Sequence, residues 1–225
     1  MLVKIVVILN ADNMDLFVNT LDIGKFESTN EIWNSLYLNN PENVGKVSEL
    51  ILEKHFDRKE EWEEYYYIHG RSKEYLANVG KNLYDAVKPN LTLEECVECV
   101  RFRVICQTWN GIIEREPNTI KTLDITFRNK FIFKKTTFDF DFNYAVDYEM
   151  YYKDNLICGI QIKPHSYETS DSPAVAKARW SNKNKNIEYT LKFHVPVFTI
   201  TSKSNGEILS HNELMNLHKL IMQYL

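Results

Sequence analysis

The 225-residue chain is 44% hydrophobic and 13% aromatic, enough to bury a sizeable core within one large domain. Its formal net charge of −4 excludes nucleic-acid binding through overall basicity, yet residues 1–100 hold 18 Asp and Glu against 10 Lys and Arg (−8), whereas residues 101–225 hold 13 against 17 (+4). No run approaches the roughly 18 apolar residues of a membrane span, and four cysteines do not make a disulfide framework at this length, so a soluble, cytoplasmic protein with reduced thiols is expected.

In chain order, residues 2–9 form an apolar run interrupted by Lys4 and followed by Asn10, Asp12 and Asn13, which predicts a buried strand and no signal peptide. Residues 31–88 are dense in Glu, Lys, Tyr and Leu, and Val44, Val47, Leu50 and Ile51 recur at helical spacing. Pro41 suits a helix start, Gly70 and Gly80 punctuate the section, and Pro89 closes it. Thr92, followed by Leu93, Glu94 and Glu95, predicts a capping hydroxyl and an acidic first turn. That helix is expected to run on, with a break, through Trp109 and Ile113.

From Thr126 onward aromatic and β-branched runs take over. Phe127, Phe131, Ile132 and Phe133 come first; then Phe138, Phe140 and Phe142 alternate with Asp139, Asp141 and Asn143, predicting a strand whose polar face carries the two aspartates. Residues 146–152 and 156–162 predict two more strands, joined by a tight turn at Lys153, Asp154 and Asn155. Residues 189–201 form a further strand candidate, and residues 212–225 have helical periodicity. Helices before a sheet and one after it predict a single α/β or α+β domain over residues 1–225. Its residues 1–105 are mainly helical with an N-terminal strand, and residues 106–225 hold the sheet core and a C-terminal helix.

The chemistry concentrates in the predicted hairpin. Gln161 and Lys163, two apart on a strand, share a face, and antiparallel pairing places Asp147 opposite the end of that strand, beside both. Phosphodiester hydrolysis needs a divalent cation to polarise the phosphoryl oxygen and acidify a water. Asp147 supplies an anionic oxygen, Gln161 and the Ile162 carbonyl neutral ones, and Lys163 a cation to orient the water and stabilise phosphate charge. The expected metal is magnesium, with manganese as a substitute. A cross-strand salt bridge is the plainer account of Asp147 and Lys163. Against it stands the otherwise apolar strand, in which a lone lysine needs a reason.

This arrangement resembles the PD-(D/E)xK nucleases, with Gln161 at the position usually held by an acid. Trp62-Glu63-Glu64-Tyr65-Tyr66, the Thr108-Trp109-Asn110-Gly111 segment and above all Ile162-Lys163-Pro164-His165-Ser166-Tyr167 resemble the MjaI-type restriction endonucleases, in patches over residues 40–167. The resemblance implies a restriction-endonuclease-like fold with a central mixed sheet flanked by helices. It also implies a further carboxylate from the preceding helix, for which Glu116 is favoured over Glu114, although Pro117 follows it. A four-base palindrome such as CTAG would be the first substrate to test.

His165, Ser166 and Tyr167, directly after Lys163, are candidate DNA contacts. Arg179, Asn182, Lys183, Asn184 and Lys185, interleaved with Trp180 and Asn186, read as a basic polar loop able to address bases and phosphates; a plain solvated loop is the alternative. Cys96 and Cys99 form a C-x-x-C pair near Cys106, but a second knuckle is missing, so buried thiols on a helix face explain it better than zinc. Together these features read as a type II endonuclease that cuts double-stranded DNA at a short palindrome, as a homodimer because a two-fold site is matched by two-fold protein symmetry. A non-specific, repair or junction-resolving nuclease of the same fold stays open, as does a non-catalytic DNA-binding protein.

Overall fold

The computed structural model describes Phe26 and residues 28–171 and 173–224; the expected strand over residues 2–9 lies outside them. The chain divides into two compact units between Ile113 and Glu114.

The described part of the first unit is helical: α1 (Asn30–Ser35), α2 (Pro41–Val44), α3 (Val47–Glu53), α4 (Lys59–His69), α5 (Lys73–Val87), α6 (Leu93–Arg101) and a π-helical segment, Phe102–Cys106. The start of α6 follows its sequence signals: Thr92 Oγ1 accepts the Glu95 N–H at 3.1 Å and the Glu95 carboxylate accepts the Thr92 N–H at 2.8 Å, a reciprocal capping box. Trp62, Tyr66, Leu76, Leu83, Val100 and Ile105 sit at the centre of this unit's core. Gly80 lets α5 and α6 approach closely, because a Cβ there would lie 2.7 Å from Val97. All four cysteines of the chain are buried free thiols.

A second π-helical segment, Trp109–Arg115, leads directly into α7 (Glu116–Thr126). Pro117 falls within the first two positions of α7, where a missing N–H costs little, so the proline is compatible with a helical Glu116. Then follow β1 (Ile132–Lys135), α8 (Phe138–Tyr144), β2 (Tyr148–Tyr152), β3 (Asn155–Lys163), α9 (Ser166–Thr169), α10 (Pro173–Phe193), β4 (Val197–Thr201) and α11 (His211–Ile221). The strands form one mixed sheet in the order β1-β2-β3-β4, with β1/β2 and β2/β3 antiparallel and β3/β4 parallel. Helices flank this sheet in the α+β arrangement of the restriction-endonuclease-like fold. One face buries Met150, Cys158, Ile160, Ile162, Phe198 and Ile200 with Leu123 of α7 and Leu217 of α11. On the other, Gly159 leaves room for Tyr189 of α10, since a Cβ would meet that ring at 3.2 Å and Val146 at 3.1 Å.

Two elements differ from the sequence expectation. Residues 138–143, expected as an alternating strand, form helix α8: Thr137 caps it, its side chain accepting the Phe140 N–H. Alternate phenylalanines also satisfy a helix, because Phe138 and Phe142 stack one turn apart, as do Phe140 and Tyr144. Residues 179–186, expected as a loop, lie inside the 21-residue helix α10. This helix continues to Phe193, so the strand expected over residues 189–201 is only β4.

Candidate active site

The site forms where β2 and β3 part company. Tyr148 pairs with Ile160, and Asp147, one residue earlier, follows the left-handed turn at Ala145 that ends α8. The Asp147 N–H donates to the Ile160 carbonyl at 2.9 Å, and its own carbonyl accepts from the Thr136 N–H and hydroxyl, each at 3.1 Å. The backbone is thereby pinned from both neighbouring segments. Asp147 is 3% exposed; its Oδ2 accepts the Ile162 N–H at 2.6 Å and lies 3.6 Å from Lys163 Nζ. Because the N–H and C=O of one strand residue share a side, the Ile162 carbonyl emerges on the Asp147 side of β3.

Glu116, the first residue of α7, is 7% exposed and ion-paired with Lys135 at the end of β1. Burial pushes its carboxyl up to about 7; the Asp147 charge acts in the same direction, while Lys135 and Lys163 pull back without prevailing. Asp141 of α8 behaves alike: burial, then Asp147, raises it to about 6 against the pull of Lys163, Lys135 and Lys185. Burial works against the Lys163 ammonium, but Asp147, Asp141 and Glu116 together more than offset it and hold its pKa above the ordinary lysine value. The structure thus gathers Asp147, Lys163 and Glu116 in one electrostatic cluster.

Lys135 and Asp141 belong to that cluster and were not singled out by the sequence reading. For Lys135 the signal was the antiparallel register, which sets it against Tyr148, next to Asp147. Gln161 is 1% exposed; its Oε1 accepts the Thr199 hydroxyl at 3.2 Å, and its Nε2 makes no hydrogen bond. Among the described residues no three His, Cys, Asp or Glu side chains are grouped to hold a metal ion. A cation here would therefore rest on the Asp147 and Glu116 carboxylates with neutral oxygens. The residues fit such a hard cation: burial, with the Asp147 charge adding to it, holds the Glu116 carboxyl back from ionising, which a divalent cation would reverse, and the donors are oxygens.

The expected DNA contacts are spread around this centre. His165 is exposed, while Ser166 and Tyr167 are half-buried in α9, the Tyr167 hydroxyl accepting from Asn182 at 3.2 Å. Arg179 is not a free base reader, because one of its guanidinium nitrogens donates to the carbonyls of Tyr167, Glu168 and Ser170 and ties α10 to the end of α9. Asn184 is half-buried, Lys183 is exposed, and Lys185 donates to the Phe142 carbonyl.

A model of the MjaI restriction endonuclease family matches residues 29–210, a span that takes in every residue of the cluster. No curated protein and no solved structure matches the chain.

Proposed function

The chain belongs to the MjaI restriction endonuclease family, and from that premise we propose that it is a type II enzyme of the PD-(D/E)xK kind, hydrolysing phosphodiesters of double-stranded DNA at a short palindromic site. The observation that carries this reading is the buried cluster of Glu116 and Asp147 against Lys163 and Lys135 at the end of the β2/β3 hairpin. A structural salt bridge needs one carboxylate and one cation; here three carboxyls, Glu116, Asp147 and Asp141, gather around Lys163 and Lys135, and Glu116 and Asp141 stay hard to ionise.

Magnesium, or manganese in its place, would be held by Asp147, Glu116, the Ile162 carbonyl and, after rotation of its amide, Gln161. Bound there it would supply Lewis acidity towards the phosphoryl oxygen and acidify a water. Thr199 tolerates either amide orientation, because a hydroxyl both donates and accepts. Lys163, kept charged by three carboxylates, orients the attacking water and offsets charge building on the phosphate. Asp147 positions Lys163 and is itself held by the Ile162 N–H. Lys135 balances Glu116 and carries its ammonium over the Tyr148 ring at 4.8 Å. Two copies acting together would cut both strands of a palindrome.

Digestion of DNA of known sequence in magnesium tests the reading, with CTAG-containing duplexes first. Discrete fragments are expected. Smearing would replace site-specific cleavage with a non-specific nuclease, and binding without any cleavage would leave a DNA-binding protein.

A further inference from the structure

A cleft of about 580 Å3 lies beside the cluster, on the sheet face that α10 covers. At its base are Gln161 and Thr199, directly paired between β3 and β4. Gln161 stands two residues before Lys163, so the cleft begins about 7 Å along the strand from the candidate catalytic lysine, on the same face. That is within one nucleotide of a phosphate held there.

The lining sorts by chemistry. Ile187 and Leu191 of α10 face Pro196 and Val197 and give apolar contact for a flat ring. Glu168 of α9 and Glu213 of α11 bring carboxylates, which repel a phosphate but accept hydrogen bonds from an amino group. Burial, with Glu168 adding to it, raises the Glu213 carboxyl against the pull of a hydrogen bond from Asn216. Lys183 stands exposed at the same cleft, free to meet the sugar-phosphate backbone. The Gln161 amide adds a buried nitrogen that makes no hydrogen bond.

A base inside a duplex shows only its edge, its faces being stacked; the apolar lining can touch a ring face only if the base leaves the stack. We propose that this cleft takes one nucleobase swung out of the DNA, a base with an exocyclic amino group, from the nucleotide next to the phosphate at Lys163. The inference rests on the nuclease reading above. Extrusion gives up stacking and pairing, and apolar contact with the ring and hydrogen bonds to the carboxylates offset that loss.

The test first establishes a cleaved duplex in magnesium. The same duplex is then bound in calcium with 2-aminopurine or pyrrolocytosine substituted one position at a time. A severalfold rise in fluorescence is expected at one position flanking the cut. Thr190, exposed on α10 and lining the cleft, is changed to Phe to fill it. Thr190→Phe should abolish the rise and weaken DNA binding about tenfold, whereas Thr190→Ser should keep both. Replacing the responsive base by its analogue without the amino group should weaken binding to the wild type more than to Glu213→Gln. A duplex that is cut while no position brightens, brightening that survives Thr190→Phe, or equal losses in wild type and Glu213→Gln would each overturn the inference and leave the nuclease reading standing. Failure to cut any duplex would remove both.

Discussion

Glu63 in the helical unit and Glu116 in the sheet unit are both largely covered carboxylates with a basic partner, yet they are driven in opposite directions. Burial works against ionisation of Glu63, but Arg101 reaches it with two hydrogen bonds of 2.8 Å and Tyr67 adds a third at 3.0 Å, so its pKa is lowered. Burial also works against Glu116, and there Asp147 reinforces it beyond what Lys135 and Lys163 offset, so its pKa is raised. An acid met by a guanidinium fork, which here also holds Glu98 at 2.9 Å, is a fastening. Acids crowded around two lysines hold charge that only something further, a cation or a substrate, can complete.

If that contrast is sound, changes in the two regions should trade places in their effects. The largest is expected at the cluster: Lys163→Ala and Asp147→Asn should each lower the cleavage rate on the order of 10³-fold or more while DNA binding and unfolding temperature stay near wild type. Cleavage retained by either variant, together with lost stability, would make the pair structural.

The second test uses pH. A carboxyl whose pKa rises from 4.5 unfolded to about 7 folded binds its proton more tightly in the folded state. Its contribution to stability is therefore fully present below 4.5 and is lost as pH rises through about 7, amounting to about 3 kcal/mol. Urea unfolding in EDTA at pH 5 and pH 8 should show that loss in the wild type and much less of it in Glu116→Gln. Magnesium at pH 8 should restore stability to the wild type by mass action. An identical pH dependence in both proteins would show that Glu116 carries no such strain.

The converse applies to the fastening. Arg101→Ala breaks a partly buried bidentate pair and should cost about 2 kcal/mol of stability, read by urea unfolding, with cleavage at a permissive temperature unchanged. A drop in cleavage without loss of stability would put Arg101 in the functional machinery and blur the distinction.

The hairpin was legible because strand geometry is rigid: a two-residue period and a tight turn at Lys153 leave little freedom over where Asp147 falls relative to residues 160–163. The Thr92 cap was legible because it is local. What escaped the sequence depended on tertiary packing. Phe138, Phe140 and Phe142 alternate like a strand, but Phe140 finds Tyr189 and Phe193 of α10 at 5.9 and 5.7 Å, and their spacing suits a helix equally well. Helix α10 was hidden by its polar composition, since its inward anchors Tyr189 and Phe193 lie C-terminal to the basic and asparagine-rich stretch. With α8 misread, Asp141 could not be placed near Asp147, and Lys135 needed a strand pairing that no local signal announces.

The helical setting of α10 also separates two lysines that a loop would have made equivalent, and this gives the smallest expected effect. Lys183 is exposed and stands at the cleft, so a phosphate can displace its water at little cost. Lys185 is half-buried, donates to the Phe142 carbonyl, lies 4.7 Å over the Phe142 ring, and helps keep Asp141 ionised. Its charge is already spent inside the protein, on the side of the contrast where groups are fastened. Lys183→Gln should therefore flatten the slope of log affinity against log salt by about 0.9, which is about a three- to fourfold change between 50 and 200 mM salt. Lys185→Gln should leave that slope nearly unchanged and push the Asp141 carboxyl further up, visible as a shift in its titration by NMR. Equal slope changes in the two variants would mean that Lys185 leaves its intramolecular contacts to meet DNA, and that α10 presents both lysines to the backbone.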